Sequence, residues 1–186
     1  ATPVGGEFWS GITAAVDGTL YGSSAACGAN STLYTIDPGS GAASPIGPIT
    51  GATCIIDIAI NPAGEMYGVD IVTDTLFMID PSTGTAGPIG STGIDANYAQ
   101  GMDFDDVSGT LYWASFNNGA FLGEMRVLDT TTGASSLVGV FPGGTTEVDS
   151  FGIAAFAGGE CAPIPGALVM GSVSDDNTGE GPVGLP

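Results

Sequence analysis

The feature that most constrains this chain is that it repeats itself. Thr32-Leu-Tyr-Thr-Ile-Asp-Pro-Gly-Ser-Gly41 is followed by Ser44-Pro-Ile-Gly47. Thr75-Leu-Phe-Met-Ile-Asp-Pro-Ser-Thr-Gly84 is followed by Gly87-Pro-Ile-Gly90. Glu124-Met-Arg-Val-Leu-Asp-Thr-Thr-Thr-Gly133 is followed by Ser136-Leu-Val-Gly139. The closing glycines step by 43 and then 49 residues. A fixed period of this size marks a chain built from supersecondary units, each burying its apolar face against the next.

Each copy is preceded by a second motif. Gly18-Thr-Leu-Tyr-Gly22 recurs as Gly64-Glu-Met-Tyr-Gly68 and Gly109-Thr-Leu-Tyr-Trp113. Ahead of these lie apolar stretches at Gly11 to Val16, Ile55 to Ile60 and Gly101 to Phe104, with a further copy at Phe151-Gly-Ile-Ala-Ala-Phe156. Four short strands, A to D, in roughly 40–50 residues are the content of a propeller blade. The expected fold class is therefore all-β, with propeller-like repeats of four-stranded antiparallel blades. The turns agree: Asp-Pro-x-x-Gly sets proline at the second turn position and closes on glycine. Asp37, Asp80 and Asp129 recur at one position, which predicts Asx-turn acceptors rather than catalytic groups. Tyr21, Tyr67 and Tyr112 recur likewise and are expected to pack between blades.

These motifs resemble the "LYxID…TG…IG" repeats of secreted bacterial β-propeller proteins. The resemblance covers residues 2–157 and implies architecture; a shared fold carries no single activity.

Three blades are complete, whereas a closed ring needs at least about four. The remainder supplies pieces of another. Thr2, Pro3, Val4 and Gly5 read as a D strand, and residues 151–156 read as an A strand. Residues 1–157 are expected to form the repeat domain and 158–186 a C-terminal extension. That extension holds an apolar stretch with Leu168, Val169, Met170 and Val173, then Thr178-Gly-Glu-Gly before Pro182, Val183 and Gly184. Two D-like segments thus compete for one slot. The surplus one pairs with a neighbouring molecule, packs on its own domain or stays disordered. Strand donation joins subunits through main-chain hydrogen bonds.

Charge narrows the partners. The sequence holds 20 acidic residues against one basic residue, Arg126, with no His, for a net charge of -19. Such a chain repels polyphosphate and anionic lipid, so nucleic acid is excluded as a partner. No stretch reaches the ~20 apolar residues of a membrane-spanning helix. Of the three cysteines, Cys27 and Cys54 flank the first full repeat and are the expected pair, leaving Cys161 unpaired or intermolecular; Cys54–Cys161 is the alternative. Disulfide use and the opening Ala-Thr-Pro-Val fit a secreted mature chain.

The catalytic inventory is sparse. Without His or Lys, this sequence has no Ser-His-Asp, Cys-His or Schiff-base arrangement. Asp103, Asp105 and Asp106, ahead of Gly109, are candidate calcium ligands, although Ala114 stands where an EF-hand requires an acid. Asp70 and Asp74 form a second acidic pair. Asn30-Ser-Thr32 fits an N-glycosylation sequon. The expectation is a non-enzymatic extracellular structural protein that self-assembles into a filament, sheath or surface layer. The alternative is a ligand-binding propeller for surface carbohydrate or a protein partner, with Trp9 and Trp113 as stacking surfaces. A metal-dependent lyase or hydrolase ranks third.

Overall fold

The computed structural model describes residues 8–25, 27 and 30–153. Twelve strands form three four-stranded antiparallel sheets in strict sequence order. Blade 1 holds β1 (Trp9–Ala14), β2 (Leu20–Ser24), β3 (Thr32–Ile36) and β4 (Ala43–Pro48). Blade 2 holds β5 (Ile55–Ile60), β6 (Met66–Asp70), β7 (Thr75–Ile79) and β8 (Ala86–Ser91). Blade 3 holds β9 (Gly101–Asp105), β10 (Thr110–Asn117), β11 (Leu122–Leu128) and β12 (Ser135–Val140). The A strands pack side by side, with β5 between β1 and β9.

Alternation along the strands of blade 2 explains why the sheets stack. Met66, Phe77, Ile79, Ile58 and Ile60 point into one apolar cluster shared with Leu33 of blade 1. Tyr67, Val69, Leu76 and Ala59 point into a second, shared with Met102, Phe104, Leu111 and Trp113 of blade 3. The period-2 pattern therefore feeds two cores from one sheet, and β6 is buried at every position. Tyr67 packs in a tilted arrangement against Phe104 of the next blade, with ring centroids 5.6 Å apart, as expected for the recurrent tyrosines.

The Asp turns also match expectation. Asp37 Oδ1 accepts from the amides of Gly39 and Ser40, Asp80 Oδ1 from Ser82, and Asp129 Oδ1 from Thr131 and Thr132. In each blade the D strand carries one extra residue just before its motif glycine, because Gly47, Gly90 and Gly139 pair with Leu33, Leu76 and Met125 across a register shift. This is a β-bulge, which bends the outer strand and raises its twist.

The Thr-Gly and Ile-Gly motifs meet across blades. A Cβ on Gly47 would lie 2.6 Å from the carbonyl oxygen of Thr83, and one on Gly90 would lie 2.1 Å from that of Thr132. A Cβ on Gly133 would lie 2.3 Å from the oxygen of Gly90. The backbone of each C–D turn thus fills the space where a side chain on the preceding D strand would be. A parallel bridge from Thr50 to Thr85, and the Ser135 amide donating to the Thr92 carbonyl, extend the same joint.

Cys27 and Cys54 form a disulfide across 27 positions of sequence, tying the β2–β3 loop of blade 1 to the entry of β5. Closing a loop of this size contributes about 3.5 kcal/mol on the chain-entropy model. Residues Thr2 to Gly5, Leu168 to Val173, Pro182 to Gly184 and Cys161 lie outside the described residues.

Gly90→Ala is expected to destabilise the protein by about 3 kcal/mol through overpacking at the joint. Gly139→Ala, whose Cβ position meets no described atom within 4 Å, is expected to cost far less in the same urea titration.

Candidate functional site

The A strands line the propeller axis, and side chains on them bridge to the next strand inward of the sheets. Thr13 Oγ1 accepts from the Ile60 amide of blade 2 at 3.3 Å. Asp57 Oδ2 accepts from the Met102 amide of blade 3, while its Oδ1 accepts from Ile58 at 2.9 Å. Asp103 Oδ2 accepts from the Ile153 amide at 2.7 Å. Residues 151–153 therefore run beside β9 in the place that β5 and β9 take beside β1 and β5. A Cβ on Gly101 would strike Phe151, as one on Gly11 would strike Asp57. Residues 151–153 are not assigned to a strand, and residues 154–156 of the expected A strand lie outside the described residues.

Around this axis lies a cleft of about 420 Å³ at the end carrying the A–B turns. Ile12, Val16, Ile60, Phe104 and Phe151 supply apolar wall, with Thr13, Asp103 and Asp106 among them. Burial pushes the carboxyl of Asp103 up, against the backbone amides of Ile153 and Phe104 that favour its charge; Asp106 adds a further upward push.

The candidate calcium ligands do not converge. Asp103 is engaged by Ile153 and Phe104. Asp105 caps its own turn, accepting from the Val107 amide and the Ser108 hydroxyl. Asp106 lies exposed on that turn. Among the described residues no three acidic or thiol side chains gather as a metal set. Asp70 and Asp74 are likewise occupied: Asp74 Oδ1 accepts from Ala96, and Asp70 accepts from the amides of Thr53, Cys54, Val72 and Thr73.

Trp113 corrects the sequence reading. It is fully buried, and its Nε1 donates to Gln100 Oε1 at 2.7 Å, while Gln100 Nε2 donates to the Asn97 carbonyl. It is a core residue and offers no face to a sugar. Trp9 is 41% exposed and packs against Tyr34 at 4.9 Å. Asn30 is exposed ahead of β3. Arg126 is held by Glu124, itself 4% exposed, and by Ser135 Oγ at 2.8 Å.

A chain of the nidogen/laminin complex superposes with a TM-score of 0.58 at 15% identity, covering 75% of this chain and 51% of its own. Virginiamycin B lyase from Staphylococcus aureus, solved in a catalytically inactive form with quinupristin, gives 0.56 at 11% identity, covering 81% of this chain and 47% of its own. An auxiliary nutrient binding protein from Bacteroides ovatus gives 0.53 at 16% identity, covering 78% and 34%. The fold is that of a β-propeller. At these identities the likeness reaches the fold alone, and the chain spans about half the length of the first two structures. No family model matches the sequence, and no curated protein matches it.

Two buried aspartates make opposite contributions to acid stability. Burial raises the carboxyl of Asp57 well above its ordinary value of 3.8. Asp57 therefore adds stability that is complete below pH 3.8 and is lost as pH rises through its folded value. At Asp70 the four backbone amides outweigh burial and lower the carboxyl below 3.8. Its contribution is present above pH 3.8 and is lost as pH falls through the folded value. Asp70→Asn is expected to cost about 3 kcal/mol at pH 7, with the penalty shrinking in acid. Asp57→Asn is expected to show its largest penalty in acid, shrinking toward neutrality. Urea melts from pH 3 to 7 resolve the two trends.

Proposed function

We propose that this chain is an extracellular, non-enzymatic structural module that self-assembles through the ends of its blade arc. The observation that carries the reading is that, among the described residues, each end of the arc shows one half of such a joint. At the inner joints the Thr-Gly turn of one blade fills the glycine notch of the blade before it. At the far end, no described atom comes within 4 Å of a Cβ on Gly139. At the near end, the same holds for Gly41, the turn glycine of blade 1. The two halves are complementary, so joining them between copies is a head-to-tail contact, the kind that produces open filaments or rings. Apolar surface supports it: Phe8 is 82% exposed on blade 1 and Val138 60% on blade 3.

The disulfide suits an oxidising compartment outside the cell. An acidic surface keeps such modules apart until cations screen it, which is the role this reading gives calcium. Terminal-strand exchange, through Thr2 to Gly5 or 168–184, is the proposed mode of joining.

A second reading rests on the axial cleft. Its apolar walls with Asp103 and Asp106 suit a ligand or partner side chain that is both apolar and cationic, such as a protein partner's lysine or arginine. A structure solved with quinupristin and a nutrient binding protein stand among the fold's relatives, which is compatible with this use but rests on fold alone.

Light scattering and electron microscopy of the purified protein, with and without calcium, test the first reading. Polymers that grow with concentration and disappear when the chain is truncated after Gly159 are the expected result. Discrete monomers under all conditions would sink it and move attention to the cleft.

A further inference from the structure

Blade 3 is longer than blade 2 at two points. Asp80 follows Tyr67 by 13 residues, whereas Asp129 follows Tyr112 by 17. Tyr67 follows Gly47 by 20 residues, whereas Tyr112 follows Gly90 by 22. The excess that stretches the repeat step from 43 to 49 residues therefore lies in the β10–β11 hairpin and the β8–β9 loop. Residues added to a repeat gather on one face of such folds, often the binding face.

The two additions meet. Ala96 and Asn117 form an antiparallel bridge. The Asn97 amide donates to the Phe116 carbonyl at 3.1 Å, and the Asn118 amide donates to the Asp95 carbonyl at 2.7 Å. Asp95 thus lies opposite Asn118 and Asn97 opposite Phe116, and the period of two puts these four residues on one face. Asp95 Oδ2 accepts from Asn118 Nδ2 at 2.9 Å, which fixes both side chains. Asp95 and Asn97 are exposed and Asn118 is half-buried.

Two aromatic rings gather on Phe116 against the preference of their own backbone. Tyr98 has a φ of 63° and Phe121 a φ of 56°, in the left-handed region that bulky side chains rarely adopt. Asp74, the other non-glycine residue with positive φ among the described residues, belongs to the same joint, because its Oδ1 accepts from the Ala96 amide at 2.8 Å. Burial does not account for the two aromatics: Tyr98 is 47% and Phe121 52% exposed. Both meet the buried Phe116 nearly at right angles, with ring centroids 5.1 and 5.4 Å away. A turn alone would be served better by glycine or asparagine at either position. Backbone strain that holds a side chain at the surface is a mark of ligand contact.

We propose that Tyr98 and Phe121 form a stacking platform for a neutral saccharide, with Asp95, Asn97 and Asn118 taking its hydroxyls. A sugar ring presents a C–H face that packs on an aromatic ring, and edge hydroxyls that bond to carboxylate and carboxamide groups. Charge selects within that class. With a net charge of -19 and Asp95 on the platform, the surface repels uronates and phosphorylated ligands, whereas a neutral glycan meets no such repulsion. β9 begins beside this platform and ends at its A–B turn, so the site stands at the opposite end of blade 3 from the axial cleft. It goes beyond the self-assembly reading and does not depend on it.

Native-gel affinity electrophoresis of the full chain tests the platform. The gels contain hydroxyethyl cellulose, galactomannan, arabinoxylan or dextran, with alginate as the acidic polymer. Mobility is read against a polysaccharide-free gel, so self-association cancels. Retardation by at least one neutral polymer, and none by alginate, is the expected result. Tyr98→Gly and Phe121→Gly are each expected to weaken that binding at least about ten-fold through loss of a stacked ring. Their urea midpoints are expected to hold, because glycine accepts a positive φ without strain. Asp95→Ala leaves both rings in place and is expected to weaken binding about ten-fold; it decides the matter should a glycine variant unfold early. Unchanged mobility in all four neutral polymers, retardation by alginate, or full affinity in these variants would overturn the proposal.

Discussion

Every blade here is a thin sheet with two apolar faces, and one sheet cannot bury both. That constraint governs the rest of the molecule. Only blade 2 has a neighbour on each side among the described residues, and its strands are accordingly the most buried. The axial strands, the disulfide and the glycine joints all bring one more sheet against an exposed face. The polar contacts at the joints are directional: side chains of one A strand accept from the backbone of the next, and each turn enters the notch of the blade before it. A stack built this way has a head and a tail.

Much of the architecture was legible because the repeat states it three times. Strand order, the Asx role of Asp37, Asp80 and Asp129, and the packing of Tyr67 follow from local pattern and turn chemistry. Contacts between blades were not legible, because their partners lie far apart in sequence. Thr13 meets Ile60 across 47 positions and Asp57 meets Met102 across 45. Nothing local marks Asp57 as a buried acceptor. The motif glycines were visible, but their reason is a carbonyl from another repeat.

The site was harder to read for the same cause. Trp113 stands out because the other copies place Gly22 and Gly68 there, and a lone tryptophan invites a surface reading. In the fold it fills the interior beside Gln100, a residue no motif singles out. The acidic run at 103–106 carries ligand-type residues, yet two of its three carboxylates are engaged by backbone amides within or beside the strand. Composition advertises charge; only the fold shows which charges are already engaged.

The placement of Arg126 has a practical side. It is the sole residue after which a trypsin-like protease could cut this sequence, and it lies inside β11, 11% exposed and held by Glu124. Such an enzyme needs its target drawn out as an extended strand around a free basic side chain. The folded chain therefore denies it a substrate, and a single nick at that bond becomes a built-in reporter that blade 3 has come open.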